Sequence, residues 1–257
     1  MEPRVEVTQV QINEVEFPGN SRDAEFFLIG NDCKSDKFSN HHYYNFYPKF
    51  IEHYKTIKNC AMLEIGVENK YSLDLWLKYF PNAFIYGIDI NVSDESERYK
   101  IIKADQSDPV QIDNVIRTIN HPLFLIVDDG SHIPEHQILT FDKMFHVLLP
   151  GGTYIIEDIE TSYWSKNYIY SYKTQYGFKH PKSIIEFFKL IVDDINALFL
   201  TEENKSIQND IISSRISNEN RKNISTITFT HNTIIITKKT KQEIEHRSTN
   251  YYWAQNL

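Results

Sequence analysis

The chain has 257 residues, of which 41% are hydrophobic and 14% aromatic, and 27 basic against 35 acidic side chains give it a net charge of −8. This composition predicts one large core, or one core with a small appendage. The acidic balance argues against a broad phosphate-binding surface, and the lack of an apolar run of 18 residues argues against a membrane span. Two cysteines, Cys33 and Cys60, make no disulfide framework, and the N-terminus lacks a signal-peptide pattern, so we expect a reducing, cytoplasmic location.

The first pattern along the chain is an alternation of apolar and polar residues over 5–12, which indicates an edge strand or an arm. A helix interrupted near Pro48 follows it. Short apolar runs typical of buried strands then alternate with segments in which apolar residues recur at helical spacing. The strand-like runs are 61–67, 84–90, 99–105, 123–127 and 153–158. This alternation predicts βαβ units and a parallel sheet.

The remainder of the chain is more varied. An aromatic loop follows residue 158, a long helix is expected over 182–201, and the polar residues 202–223 indicate a flexible surface loop. Two strand-like runs around His231 and Asn232 predict a hairpin at the sheet edge. We therefore expect an α/β fold with a doubly wound, mostly parallel seven-stranded sheet and a C-terminal antiparallel hairpin. The expected organisation is an N-terminal arm and helical segment (1–60), a core domain (61–241) and a tail (242–257).

Polar residues stand at the end of every predicted parallel strand. In an open parallel sheet, ligands bind beyond the carboxyl ends of the strands. These residues are Glu64, Gly66, Asp89, Asp105, Gln106, Asp128, Asp129, Glu157 and Asp158. Asp89 occupies the position at which an acid binds the two hydroxyls of a ribose, although the loop "EIGVENKYS" lacks the G-x-G-x-x-G of dinucleotide-binding folds. Any one acid could instead cap a helix or face water, but that interpretation is weaker for five strand ends together.

Three of these acids predict a metal site. Asp129 ends the fourth strand and Glu157 and Asp158 end the fifth, and neighbouring strands lie about 4.8 Å apart. Three converging carboxylates repel one another unless a cation lies between them, and oxygen ligands favour Mg²⁺, with Mn²⁺ or Ca²⁺ as alternatives. The competing interpretation is a helix cap beside a surface pair of acids. His132 and His136 have a zinc-like spacing, but the flanking acids favour a hard ion.

Several stretches together give a more specific signal. They are "LEIGVENKYSLDLWLKYFPNAFIYGIDI", "KADQSD", "IVDDGSHIPEHQ" and "PGGTYIIEDIETSYW". They resemble the metal-dependent class I S-adenosylmethionine-dependent O-methyltransferases typified by macrolide-sugar O-methyltransferases and the cephamycin-pathway methyltransferase homologue. The upstream "NDCKSDKFSNHHYYNFY" is similar to that family's Thr-Asp-Lys segment, with Ser35 in place of threonine. The resemblance covers residues 30–165, fits the C-terminal hairpin, and implies a Rossmann-like methyltransferase fold.

The resemblance also implies roles for the strand-end residues toward S-adenosylmethionine. Glu64 and Gly66 would shape the turn around its methionine part, and Ser72 would meet its carboxylate at a helix N-terminus. Asp89 would hold the ribose. The adenine would face Asp105 and Gln106. Asp128 is expected on the face opposite Asp129, on the cofactor side.

On the reaction side, the resemblance assigns Mg²⁺ to Asp129, Glu157 and Asp158 and the role of general base to His132. A histidine suits this role because its ordinary pKa, about 6.5, lies near neutral pH. Tyr163 and Trp164 open the aromatic loop and are expected to bind the acceptor. One departure is Lys70, which stands where the family usually has glycine because the backbone passes close to the cofactor there.

The sequence thus predicts a Mg²⁺-dependent O-methyltransferase acting on a hydroxyl of a sugar, a sugar nucleotide or a glycosylated small molecule. One alternative is a ribose O-methyltransferase acting on nucleic acid, against which the acidic balance weighs. Another is a cofactor-binding protein without turnover, suggested by Lys70. The expected partner is a small-molecule or glycan acceptor rather than a membrane or a nucleic acid, and a homo-oligomer is left open.

Overall fold

The sheet is the part of the structure that positions the site. The computed structural model describes residues 21–164 and 176–246. The strands of this described part, in chain order, are β1 (Ala61–Ile65), β2 (Phe84–Asp89), β3 (Asp94–Glu95), β4 (Tyr99–Lys103), β5 (Leu123–Asp128), β6 (Leu148–Glu157), β7 (Ile224–Thr230) and β8 (Thr233–Lys238). They form one sheet in the order β3-β4-β2-β1-β5-β6-β8-β7. Pairing is parallel from β4 to β6 and antiparallel at both edges.

This arrangement confirms the predicted α/β fold, the adjacency of β5 and β6, and the C-terminal hairpin, whose turn is His231-Asn232. The predicted count of seven strands is corrected to eight among the described residues. The additional strand, β3, consists only of Asp94 and Glu95, which pair with Ile101 and Lys100 of β4. A strand of two residues is too short to show the alternation of apolar and polar residues by which strands are predicted from sequence.

Helices cover both faces of the sheet. Within the described ranges they are α1 (Ser21–Cys33), α2 (Asp36–Ser39), α3 (Tyr47–Ile51), α4 (Tyr71–Tyr79), α5 (Pro109–Thr118), α6 (Pro134–Met144), α7 (Ile184–Ile195), α8 (Glu202–Ile212), α9 (Asn218–Lys222) and α10 (Lys241–His246). Successive strand residues point to opposite faces. Met62 therefore packs in a cluster with α1, α3 and α4, whereas Leu63 packs in a cluster with α5, α6 and α7.

The segment 202–223, predicted to be a flexible loop, instead forms α8 and α9. Its helices begin at side-chain caps, since Thr201 accepts from the Asn204 N–H and Ser217 from the Asn220 N–H. The prediction was wrong because α8 buries only Gln208 and Ile212 and so has little apolar periodicity. A buried ion pair of 2.5 Å between Arg221 and Asp194 fastens α9 to α7.

Other expectations are met in part. The interrupted helix near Pro48 is α3, flanked by 3₁₀ turns at Tyr43–Asn45 and Glu52–Thr56, and the long helix over 182–201 is α7. The expected strand over 5–12 and most of the aromatic loop lie outside the described residues. The described part of the N-terminal segment packs on the sheet through Phe26 and Tyr47, while the domain boundaries stay a prediction. Among the helices described, none is long and apolar enough to cross a bilayer.

Candidate cofactor cavity and metal cluster

A cavity of about 400 Å³ opens at the carboxyl ends of the parallel strands. It lies where ligands bind in open parallel sheets, as the sequence predicted. The predicted site residues that line it are Gly66, Asp89, Asp105, Gln106, Asp129, His132 and Asp158. A second hollow of about 240 Å³, lined by Ser72, shares Gly66 and Asp129 with the first.

Gly66 connects two of the strand ends. Its φ of +87° lies in the left-handed region, and a Cβ atom there would stand 2.0 Å from the carbonyl oxygen of Asp129. The Asp129 N–H donates to the carbonyl of Ile65 at 2.9 Å. Only glycine can adopt this conformation at this approach without displacing the neighbouring chain. The loop after β1 therefore lies directly against the end of β5.

Asp89 is held by the main chain. One carboxylate oxygen accepts from the N–H groups of Asn91 and Val92, and the other accepts from those of Val67 and Glu68. Burial opposes the ionisation of Asp89, but these donors outweigh it and lower its pKa. The Asp89 carboxylate thus keeps its charge at the rim where a ribose was predicted.

Gln106 lies between the cavity and a buried acid. Its amide donates to Asp128 at 2.7 Å, and its carbonyl accepts from the Ser131 N–H at 2.8 Å. Asp128 is fully buried, also accepts from Thr140, and does not line the cavity. Burial raises the pKa of Asp128 to about 6. Asp128, which was expected on the cofactor side, therefore does not line the cavity itself. It holds the lining residue Gln106 in place.

Glu64 and Lys70 both lie outside the lining. Glu64 is buried and accepts hydrogen bonds from Ser72 at 2.7 Å and from Trp76 at 3.0 Å, which fixes the start of α4 beside the Gly66 turn. Lys70 has a φ of +64°, a conformation that suits glycine. Its ammonium pairs with Asp94 of β3 at 2.5 Å, and it lines neither hollow.

Three side chains of the cavity form the group best suited to a metal ion in the described part of the chain. Asp129, His132 and Asp158 each place one ligating atom within 4.8 Å of the other two. His132 Nε2 lies 3.9 Å from Asp158 Oδ2. Both His132 and Asp158 have positive φ, at 54° and 52°. His132 thus lies in a left-handed turn just before α6, and Asp158 in one directly after β6. The sequence predicted Asp129 and Asp158 as metal ligands with Glu157 as the third, and His132 as the base, whereas in the structure His132 rather than Glu157 completes this group.

Glu157 lies beside this group, but a lysine holds it. The ammonium of Lys37, on α2, is 2.6 Å from Asp129 Oδ2 and 2.6 Å from Glu157 Oε2. The other oxygen of Glu157 accepts from the Tyr47 hydroxyl at 2.5 Å. Asp129 and Glu157 therefore converge as predicted, with a cation between them that the protein itself supplies.

The sequence interpretation gave no role to the residues that surround these carboxylates. Tyr43 and Asn232 donate to Asp158 Oδ1 at 2.9 and 3.0 Å, and His41 Nδ1 lies 3.5 Å from the same oxygen. The signal was available in part, since Lys37, His41 and Tyr43 all lie in the stretch "NDCKSDKFSNHHYYNFY" that carried the resemblance. Asn232 gave no such signal, because it belongs to the hairpin turn.

The two residues expected to bind the acceptor lie beyond the cavity lining. Tyr163 is largely exposed and stacks on Phe178, with ring centroids 6.0 Å apart, and Trp164 is half-buried. They follow the metal group along the chain, since the 3₁₀ turn Ile159–Tyr163 begins directly after Asp158. Their role in acceptor binding stays a prediction.

The sheet order and the strand-end cavity define a Rossmann-like α/β fold of the kind found in class I methyltransferases. The tetracenomycin-C rhamnosyl 2'-O-methyltransferase of Streptomyces olivaceus is 36% identical over 141 residues, which are 51% of this chain and 36% of that protein. The mycinamicin VI 2''-O-methyltransferase of Micromonospora griseorubida is 36% identical over 155 residues, 56% of this chain and 38% of that one. No protein-family model matches the chain.

A solved structure supports the same resemblance to sugar O-methyltransferases. The methyltransferase MycE of the mycinamycin pathway, in complex with Mg and SAH, superposes with a TM-score of 0.71 and 26% identity, covering 85% of this chain and 55% of that one. The resemblance to macrolide-sugar O-methyltransferases inferred from the motifs is therefore confirmed. The aligned segments are just over a third of each curated relative's own length.

Proposed function

We propose that the chain is an S-adenosylmethionine-dependent and Mg²⁺-dependent O-methyltransferase that methylates a hydroxyl group on the sugar of a glycosylated small molecule. The observation that carries this proposal is a single cavity whose lining runs from Asp89 and Asp105 to Asp129, His132 and Asp158. A methyl donor and an activated hydroxyl have to meet within one such cavity for transfer to occur. The names of the similar proteins support sugar hydroxyls as the acceptor class.

The cofactor half of the proposal rests on the strand ends and on MycE, which was solved with SAH. Asp89 offers a charged carboxylate for the ribose, and the Gly66 turn leaves room for the methionine part beside Ser72. Asp105 and Gln106 form the neighbouring part of the lining, where the adenine would lie. The ammonium of Lys70 pairs with Asp94 and Lys70 lines neither hollow, which argues against the alternative of a protein without turnover.

The metal half rests on the donors present. Asp129 and Asp158 offer carboxylate oxygens at the cavity, as Mg²⁺ prefers, and MycE was solved with Mg. We keep Glu157 as the third proposed ligand, and it could bind the ion through Oε2 only if the Lys37 ammonium shifts. Mn²⁺ or Ca²⁺ would suit the same oxygen donors.

When bound, the cofactor would supply an electrophilic methyl group and the divalent ion would polarise the acceptor hydroxyl. His132 would take the proton of that hydroxyl at Nε2, the ring atom that faces Asp158. The Thr161 hydroxyl donates to the main-chain carbonyl of His132 at 2.8 Å and fixes the turn that carries the ring. The side chain of His132 is almost fully buried, so solvent competes little for this proton.

The test combines binding and turnover. Calorimetry with S-adenosylmethionine and its demethylated product should give affinities in the micromolar range, typical of small ligands in such sites. Labelled methyl groups should then appear on a glycosylated macrolide, be lost with a chelator and return with Mg²⁺ or Mn²⁺. Full methyl transfer in excess chelator would contradict the proposed requirement for a divalent ion. Methyl transfer to RNA in preference to the glycoside would favour the nucleic-acid alternative.

A further inference from the structure

Lys37 is a fully buried lysine in the middle of the carboxylates. It comes from α2 and reaches Asp129 at the end of β5 and Glu157 at the end of β6, both at 2.6 Å. Its ammonium is also 3.6 Å from Glu64 of β1. Lysine is rarely buried unless it is paired. One side chain thus contacts acids from three neighbouring strands of the sheet.

Two carboxylates surround the ammonium of Lys37. Asp129 and Glu157 each lie 2.6 Å from it, and opposite charges at this distance favour the ionised form of a buried lysine. Without the ammonium, the carboxylates of Asp129 and Glu157 would face each other in a water-poor environment. Breaking a buried ion pair by removing one partner is strongly destabilising because the other charge stays buried.

We propose that Lys37 is a positioning residue that acts as an internal counter-ion to Asp129 and Glu157. It holds the two carboxylates together in the absence of a divalent ion and neutralises part of the charge that such an ion meets. This inference rests on the divalent ion of the proposed function. It implies that the site is assembled before the ion binds, at the expense of some affinity for the ion.

The first experiment measures thermal stability in metal-free buffer. Lys37→Met keeps most of the side-chain length and removes the charge, and we expect it to lower Tm by about 10 °C. Adding Glu157→Gln to Lys37→Met removes the excess negative charge and should recover part of that loss, although Glu157→Gln alone lowers Tm. The matched control is Lys238→Met, because Lys238 is another buried lysine, paired with the carbonyls of His146 and Leu148 rather than with the site.

The second experiment adds Mg²⁺ to the same proteins. The rise in Tm should be larger in Lys37→Met than in the wild type, and calorimetry should give a roughly tenfold lower Kd, because a nearby positive charge has been removed. Lys238→Met should gain only what the wild type gains. An equal response in Lys37→Met and the wild type would mean that the Lys37 charge does not reach the divalent site, and would overturn the inference.

The two experiments separate the failure of this inference from the failure of the proposed function. A double variant no more stable than Lys37→Met, including the case in which neither folds, would show that Lys37 does not act as a counter-ion to Glu157. If no protein, the wild type included, responds to Mg²⁺ or Mn²⁺, the divalent ion of the proposed function is wrong. The comparison in metal-free buffer would still decide the role of Lys37.

Discussion

The carboxylate of Asp89 and those of Asp129, Glu157 and Asp158 lie at or beside one cavity and are stabilised in different ways. Asp89 accepts four hydrogen bonds, all from main-chain N–H groups of the adjoining loops. Asp129, Glu157 and Asp158 depend on side chains that are 74 to 120 positions away in sequence. Main-chain donors are present whenever the loops fold, whereas each side-chain donor can be lost by one substitution. We call the part of the cavity at Asp89 the cofactor end and the part at Asp129, Glu157 and Asp158 the metal end. The cofactor end should therefore tolerate changes in its neighbours better than the metal end does.

The largest expected effect is at the metal end, in His132→Asn. Asparagine tolerates the positive φ of His132, so the change removes the base without adding backbone strain. Turnover should fall by about 10²–10⁴, as is usual for loss of a general base, with cofactor affinity unchanged. Labelled methyl transfer and calorimetry measure the two quantities. His136→Asn is the control, since His136 lies outside the cavity lining; unchanged turnover in His132→Asn across neutral pH would contradict the role of His132.

At the cofactor end, Asp89→Ala should weaken the binding of S-adenosylmethionine by roughly 10- to 100-fold, the loss expected for hydrogen bonds to a charged group. The rise in Tm with Mg²⁺ should not change, because Asp89 lies away from the metal group. Asp94→Ala is the matched variant, since it removes an acid that pairs with Lys70 outside the cavity lining. A similar loss of affinity in both variants would mean that Asp89 has no specific role.

Tyr47→Phe tests the dependence of the metal end on remote side chains. It leaves Oε1 of buried Glu157 without its hydroxyl donor and should lower the free energy of unfolding by about 1–3 kcal/mol. Tyr43→Phe should cost less, because Asp158 is more exposed and keeps Asn232 as a donor. Urea unfolding measures both variants. An equal and small effect would indicate that these hydroxyls are not needed to hold the carboxylates.

The pH dependence of stability gives a smaller signal. Because the pKa of Asp89 is lowered, its stabilising contribution is fully present above the ordinary aspartate value of about 3.9 and is lost as the pH falls through the lower folded value. Asp89→Asn should therefore cost about 1 kcal/mol at pH 7 and progressively less below pH 4. Unfolding curves of the wild type and of Asp89→Asn, measured at pH 7 and below pH 4, test this. A constant difference would mean that the charge of Asp89 is not what the loops stabilise.

The smallest effect is expected for Lys70→Gly. Glycine relieves a left-handed conformation that costs about 1 kcal/mol in other residues, while the loss of the solvent-exposed ion pair with Asp94 has only a small opposing effect. Stability should change little, and cofactor affinity should stay the same or rise slightly. Lys70→Ala, which loses the ion pair but keeps the strain, is the control. A collapse of cofactor affinity in Lys70→Gly alone would make Lys70 a ligand.

The same contrast explains what the sequence could predict. The strands and the acids at their ends follow from periodicity and from one rule about parallel sheets, so the position of Asp89, Asp129 and Asp158 at the cavity could be predicted from the sequence. The contact of Lys37 with Asp129 and Glu157 was not predicted, because nothing in the local sequence around Lys37 indicates that its side chain reaches the ends of β5 and β6. Likewise, α8 and α9 escaped notice because they are fastened by Thr201, Ser217 and the Arg221–Asp194 pair rather than by an apolar stripe.

The close contact at Gly66 has a consequence for how the two halves of the cavity can change. Because a Cβ atom at position 66 would stand 2.0 Å from the carbonyl oxygen of Asp129, any larger residue there would displace the loop after β1, the end of β5 or both. A substitution at this one position would thus disturb the proposed methyl-donor pocket and the proposed ion site together, whereas side-chain changes such as Asp89→Ala and His132→Asn leave this contact in place.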